Sequence, residues 1–173
     1  CSYRGFNATG GTPSEAAITA DALVYYDTLC TLGVDPETIV PFGRSIGAAV
    51  ALQTAAARAT RAVIVENGFT TLPAVAAHFF PVLSAVPWVV KDRWDNVAAI
   101  ARLAPTTRVL LLSSGLDEIV PPPMMEALRS AAAGAGLDAE WHFFPSGKHM
   151  NLPVYGTYYA AINGFLARNG LAH

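Results

Sequence analysis

A G-x-S-x-G pentapeptide occupies residues 43–47, where an apolar stretch typical of a β-strand (38–42) meets an alanine-rich stretch typical of a helix. A strand-to-helix turn this sharp leaves no room for a side chain at Gly43 or Gly47, so the spacing requires glycine at both positions. The turn would hold the Ser45 hydroxyl above the edge of a sheet and aim the Ile46 backbone N–H at the place where an oxyanion forms. Ser45 is therefore a candidate nucleophile, and an ordinary turn is the alternative interpretation.

Two further polar side chains follow strand-like stretches. The apolar run 108–112 is typical of a strand buried on both faces, and it leads into the loop that contains Asp117. The stretch 139–144 is a second strand candidate, and His149 lies just beyond it. Because the carboxyl ends of parallel strands meet at one edge of a sheet, Ser45, Asp117 and His149 are expected to come together. An imidazole can take the serine proton and return it to a leaving group, and a carboxylate fixes the ring tautomer.

Glu66 is the main alternative to Asp117 as the acid. It ends the strand predicted over 61–66, so its carboxylate would also lie at this edge of the sheet, but the strand-loop position favours Asp117. We expect Glu118 to be a solvated neighbour of the site. Arg44 is expected to pair with a loop carboxylate, or else to bind an acidic group of a substrate.

The remaining histidines and the cysteines are weaker candidates. His142 alternates with strand residues and is expected to be structural, whereas His78 and His173 do not follow a strand. Cys30 lies on a predicted helix and is expected to be a buried small hydrophobic residue. The chain has two cysteines, Cys1 and Cys30, and this number predicts neither a disulfide framework nor a metal site.

A strand-helix alternation predicts an α/β fold with a mostly parallel sheet flanked by helices. We expect the helix over 15–32 to face the core with Ala20, Leu23, Val24 and Leu29. Further helices are predicted over 46–59, 96–103, 121–133 and 155–166. The aromatic and proline-punctuated segment around 70–95 is either a cap over the site or a pair of core helices.

Several motifs, taken in order along the chain, resemble the α/β-hydrolase superfamily and, within it, the Bem46-like branch. Besides the pentapeptide, they lie at residues 3–6 (Tyr-Arg-Gly-Phe), 13–15 (Pro-Ser-Glu), 66–69 (Glu-Asn-Gly-Phe), 115–122 (Gly-Leu-Asp-Glu-Ile-Val-Pro-Pro) and 147–149 (Gly-Lys-His). The resemblance covers nearly the whole chain and implies an α/β-hydrolase fold. It also implies Ser45 as the nucleophile, Asp117 as the acid, His149 as the base and the Ile46 amide as one oxyanion donor.

In this superfamily the second oxyanion donor comes from a loop after an earlier strand, upstream of the Tyr-Arg-Gly segment. The chain begins at Cys1, so we expect it to be N-terminally incomplete and to lack the first strands of the fold. A strand would then be missing between those predicted over 1–3 and 38–42, which would leave an unpaired sheet edge. With one oxyanion donor, the chain alone would be a weak catalyst.

Composition supports one domain over residues 1–173. A chain of 173 residues with 53% hydrophobic and 14% charged residues contains enough apolar material for one core. A net charge of −2 predicts no nucleic-acid partner. Apolar runs stay below the roughly 18 residues of a membrane span, although relatives in this branch often have an N-terminal membrane anchor. Localisation, membrane association through an upstream segment and oligomeric state are left open.

Together these features predict a serine hydrolase that acts on an ester, thioester or amide of a small-molecule or acylated substrate. The reaction would form an acyl-enzyme at Ser45, which water activated by His149 would hydrolyse, without a cofactor or metal. One alternative is a depalmitoylase-like thioesterase, which shares the Pro-Ser-Glu and Asp-Glu-x-Val segments. Another is a hydrolase-fold protein that has lost catalysis and acts as a binding or scaffold module.

Overall fold

Short apolar runs form one parallel sheet. The computed structural model describes residues 3–5 and 10–171. Its four described strands lie side by side in chain order: β1 (Phe42–Arg44), β2 (Ala62–Glu66), β3 (Arg108–Ser114) and β4 (Ala139–Phe144). The helices are α1 (Glu15–Thr31), α2 (Ile46–Ala57), α3 (Leu72–Phe79), α4 (Asn96–Ala101), α5 (Pro122–Gly134) and α6 (Gly156–Arg168). The predicted α/β class, with a parallel sheet flanked by helices, is confirmed.

Helices cover both faces of this sheet because successive strand residues point to opposite sides. Val63 and Val65 of β2 pack in one buried cluster with residues of α2, α4 and α5. Ala62 and Ile64 pack in a second cluster, with residues of α6. The sheet is therefore the middle layer, and its carboxyl-end loops lie at one edge of it.

Helix α1 packs with a different face from the predicted one. The Ser14 hydroxyl caps it by accepting a hydrogen bond from the Ala17 N–H (3.2 Å). The face toward the core contains Ile18, Ala22 and Tyr26, spaced four residues apart. Residues two positions away lie on the opposite side of a helix, so the predicted face was wrong. Of its members, Ala20, Val24 and Leu29 are exposed and Leu23 is half-buried.

Strand β1 lies later in the chain than the strand predicted over 38–42. Residues Pro36–Thr38 form a short 3-10 helix, capped by the Asp35 side chain. Strand β1 begins at Phe42 and includes Gly43 and Arg44, which pair with Val65 and Glu66 of β2. Within the described residues, β2 is the only strand that pairs with β1. Of the strand predicted over 1–3, Cys1 and Ser2 lie outside the described residues, and Tyr3 is not in a strand.

The segment between β2 and α4 contains α3 and two 3-10 helices, Pro81–Ala85 and Pro87–Val89. Phe69 and Trp94, at its two ends, are buried in the core. Its middle is exposed, since Phe80 and Trp88 keep 63% and 70% of their accessible surface. Of the two predictions for this segment, a pair of core helices does not fit this exposure. The other, a cap over the site, stays a prediction. Within the described residues, no helix has both the length and the apolar character to cross a membrane.

Candidate active site

Ser45 lies in the turn between β1 and α2 with positive φ (φ 56°, ψ −121°). Such backbone costs about 1–3 kcal/mol and persists only when its surroundings hold it. One such contact is the hydrogen bond from the Ser45 N–H to the Glu66 carbonyl (3.0 Å). Ile46 is the first residue of α2, so its N–H is among those that a helix leaves without an intrahelical partner.

The two glycines of the pentapeptide differ in what they permit. A Cβ at Gly43 would lie 1.9 Å from the Gly47 carbonyl oxygen, which is far inside van der Waals contact. A Cβ at Gly47 would meet no described atom within 4 Å. Glycine is therefore required at position 43, and the prediction that position 47 also requires it was wrong.

Asp117 and His149 meet beyond the ends of β3 and β4. His149 Nδ1 lies 2.8 Å from Asp117 Oδ2 and 3.0 Å from Oδ1, and both side chains are buried. Asp117 Oδ1 also accepts hydrogen bonds from the N–H groups of Ile119 (2.9 Å) and Val120 (2.7 Å). In a neutral imidazole, a carboxylate held in this way favours the proton on Nδ1, so that Nε2 carries the lone pair that a base needs.

Several side chains hold the backbone around His149. Glu118 accepts a hydrogen bond from the His149 N–H (3.3 Å), and Asn67 donates one to the His149 carbonyl (3.1 Å). The Ser114 hydroxyl donates to the Lys148 carbonyl (2.9 Å). Glu118 is exposed, as expected of a solvated neighbour of the site, and its carboxylate also contacts the backbone of His149.

Glu66 is engaged elsewhere. Its Oε2 accepts a hydrogen bond from the Tyr158 hydroxyl (2.8 Å), and its Oε1 lies 3.8 Å from Arg44 Nη1. The carboxyl is buried, and burial raises its pKa; the Tyr158 hydrogen bond and the charges of Arg44 and His149 oppose that rise. Burial and the nearby Glu66 likewise raise the pKa of Tyr158. The structure thus places Asp117, and not Glu66, on His149 Nδ1.

No protein-family model matches the chain. It is similar to protein Bem46 of Schizosaccharomyces pombe, at 33% identity over 98% of this chain and 57% of that protein. The α/β hydrolase domain-containing protein WAV2 of Arabidopsis thaliana is 34% identical over 90% of this chain and 54% of that protein. Among solved structures, an α/β hydrolase from Vibrio vulnificus aligns with a TM-score of 0.78 at 24% identity, over 92% of this chain and 60% of that one. The chain belongs to the Bem46-like branch of the α/β-hydrolase superfamily.

The resemblance predicted from the motifs is confirmed. This α/β-hydrolase chain spans a little more than half the length of the two curated relatives. The likeness to the Vibrio protein shows the fold alone, whereas the family relationship supports a hydrolase.

The other sequence candidates of this α/β-hydrolase lie apart from the Asp117–His149 pair. His142 Nε2 lies 3.9 Å from Glu140 on β4, and the His78 ring packs edge-on against Phe79 in α3. Cys30 is half-buried rather than buried, and His173 lies outside the described residues. Among the residues that the structure describes, no group of three or more His, Cys, Asp or Glu side chains could hold a metal.

Sequence reasoning missed several residues around the site, among them Asn67 and Tyr158. Asn67 was visible only as part of a motif, although an Asn-Gly pair directly after a strand is a signal for backbone with positive φ. Tyr158 gave no signal, because its partner Glu66 lies 92 positions away in the chain.

Proposed function

We propose that this chain is a serine hydrolase that cleaves an ester, thioester or amide through an acyl-enzyme at Ser45. The observation that carries the proposal is the buried Asp117 carboxylate on His149 Nδ1. It leaves His149 Nε2 as the base for a serine that stands in a strained strand-to-helix turn. Membership of a hydrolase superfamily supports the same conclusion.

In the first step, His149 Nε2 takes the Ser45 proton as Oγ attacks the substrate carbonyl carbon. The Ile46 N–H would stabilise the oxyanion, and the protonated His149 would give its proton to the departing alcohol, thiol or amine. In the second step, His149 takes a proton from water, and the hydroxide attacks the acyl carbon. The acid then leaves, and the proton returns to Ser45.

A fluorophosphonate probe, which reacts with activated serines, tests this proposal. We expect the full chain to be labelled, Ser45→Ala to lose all labelling and its ester turnover, and the exposed-site control Ser146→Ala to behave as wild type. The folded state of each variant is checked by circular dichroism. Labelling of Ser45→Ala would show that Ser45 is not the nucleophile. A wild-type chain that is folded but unlabelled would favour a binding or scaffold module.

A further inference from the structure

We propose that Asn67 is a positioning residue, whose side-chain amide locks the His149 loop over the end of β3 and so keeps the His149 ring on Asp117. Its importance for catalysis rests on the proposed function, whereas its effect on His149 does not.

Asn67 directly follows β2 and is almost fully buried, with 1% of its surface exposed. Its Oδ1 accepts a hydrogen bond from the Ser114 N–H (2.9 Å), and its Nδ2 donates one to the His149 carbonyl (3.1 Å). Its own N–H donates to the Leu112 carbonyl (3.0 Å). One side chain thereby joins the end of β2 to the end of β3 and to the loop that follows β4.

The polypeptide after β4 crosses over β3 to reach this point. The order of the sheet places β3 between β2 and β4, and neighbouring strands lie about 4.8 Å apart. The hydrogen bonds along the crossing run from Gly115 N to the Phe144 carbonyl (2.8 Å), from Leu116 N to the Gly147 carbonyl (2.8 Å), from Ser114 Oγ to the Lys148 carbonyl (2.9 Å) and from Asn67 Nδ2 to the His149 carbonyl (3.1 Å). The Asn67 contact is the last of these, and it is made to His149 itself.

Asparagine suits this position for two reasons. The backbone has positive φ (45°), which asparagine tolerates better than most residues other than glycine. A backbone N–H can only donate and a carbonyl can only accept, so the two contacts fix which amide atom faces which group. Aspartate would lose the donor to His149, and glycine would lose both contacts.

Two side chains form hydrogen bonds with the backbone of His149 itself, and of these two, Asn67 is the buried one. Glu118, on the N–H side, is exposed and makes a longer contact. Loss of a buried partner leaves the carbonyl unsatisfied away from water, so the loop would move to regain a partner. Because the ring follows its backbone, Nδ1 would drift from Asp117.

The test compares Asn67→Gly, which removes both contacts without a penalty for positive φ, and Asn67→Asp, which removes only the donor to His149. Asn96→Ala is the matched control. Asn96 is also buried, but its Nδ2 donates to the Phe69 carbonyl (2.8 Å) rather than to the His149 carbonyl. The first readout is the NMR resonance of the His149 ring Cε1–H and its titration with pH. The second is kcat and KM for p-nitrophenyl acetate, normalised to Ser45 labelled by fluorophosphonate.

We expect both Asn67 variants to shift the His149 resonance and its titration, and Asn96→Ala to leave them as in wild type. kcat should fall about ten- to a hundredfold in the Asn67 variants, with KM within about threefold, since misplacement by about 1 Å can cost that much. An unchanged His149 resonance in either folded Asn67 variant would overturn the inference. If wild type neither reacts with the probe nor turns over ester, the proposed function fails, while the resonances still decide the role of Asn67.

Discussion

Replacing Gly43 with alanine should displace the turn that carries Ser45. A Cβ at this position would lie 1.9 Å from the Gly47 carbonyl oxygen and 2.6 Å from the Ala48 nitrogen. To restore van der Waals contact, the first turn of α2 would have to move away from β1 by about 1.5 Å. Both contacting atoms belong to the backbone, so no side-chain rotation can relieve the clash.

The magnitude follows from how α2 is held. Ala48 and Leu52 are fully buried against the sheet, so the helix cannot shift without disturbing the core. Overpacking of this kind costs about 1–3 kcal/mol or more, and a displacement of about 1 Å can lower kcat about a hundredfold. We expect Gly43→Ala to melt at a lower temperature and to react with the fluorophosphonate probe at least about a hundredfold more slowly per folded molecule.

Gly47→Ala is the matched control from the same pentapeptide. Its Cβ would point into space that no described atom occupies within 4 Å, and alanine favours a helix over glycine by about 0.5–1 kcal/mol. It should therefore keep wild-type labelling and melt at the same or a higher temperature. Wild-type labelling of Gly43→Ala would refute the reasoning, and equal losses in both variants would show that the Gly43 clash is not the cause.

Two further predictions concern the carboxylates. Asp117→Asn should keep the fold but lower kcat by about 10⁴, because an amide can hold His149 in the wrong tautomer. Glu66→Gln should keep kcat within about tenfold of wild type. If the larger loss of kcat came from Glu66→Gln instead, Glu66 would be the acid. Glu66→Gln should also flatten the dependence of stability on pH. Burial raises the pKa of Glu66 above the ordinary 4.5, so its contribution to stability is fully present below that pH and is lost as pH rises through the folded-state pKa. Urea unfolding between pH 4.5 and 7 measures this loss, which should be smaller in the variant; parallel curves would contradict the assignment.

The sequence correctly predicts those helices and strands whose own residue pattern matches the burial that they have in the fold. Strand β4 has its predicted limits, and β3 continues two residues past its predicted end. Strand β1 was misplaced because Gly43 and Arg44 have little strand propensity of their own and are held by pairing with β2. The buried face of α1 was wrong because apolar residues lie all around that helix, so periodicity could not select the face that meets α2.

The same distinction applies to the site. Ser45, Asp117 and His149 could be proposed from the sequence because each follows a strand, and parallel strands bring their carboxyl ends to one edge. The contacts of Asn67 could not be, since its partners Ser114 and His149 lie 47 and 82 positions away. No local pattern reports which carbonyl will end up beside a buried amide.

The path of the His149 loop gives a physical reason for glycine in two of the motifs. A Cβ at Gly115 would lie 2.4 Å from the Pro145 carbonyl oxygen, and one at Gly147 would lie 2.6 Å from a methyl group of Leu152. The Gly115 clash occurs where the chain leaving β4 runs close over the end of β3, whereas Gly147 is crowded by Leu152 and Phe144 within the loop itself. Gly115 thus allows the close approach, and the hydrogen bond from Asn67 fixes where the approach ends. A base that follows the edge strand of the described sheet can then be held beside residues that follow β2, two strands away.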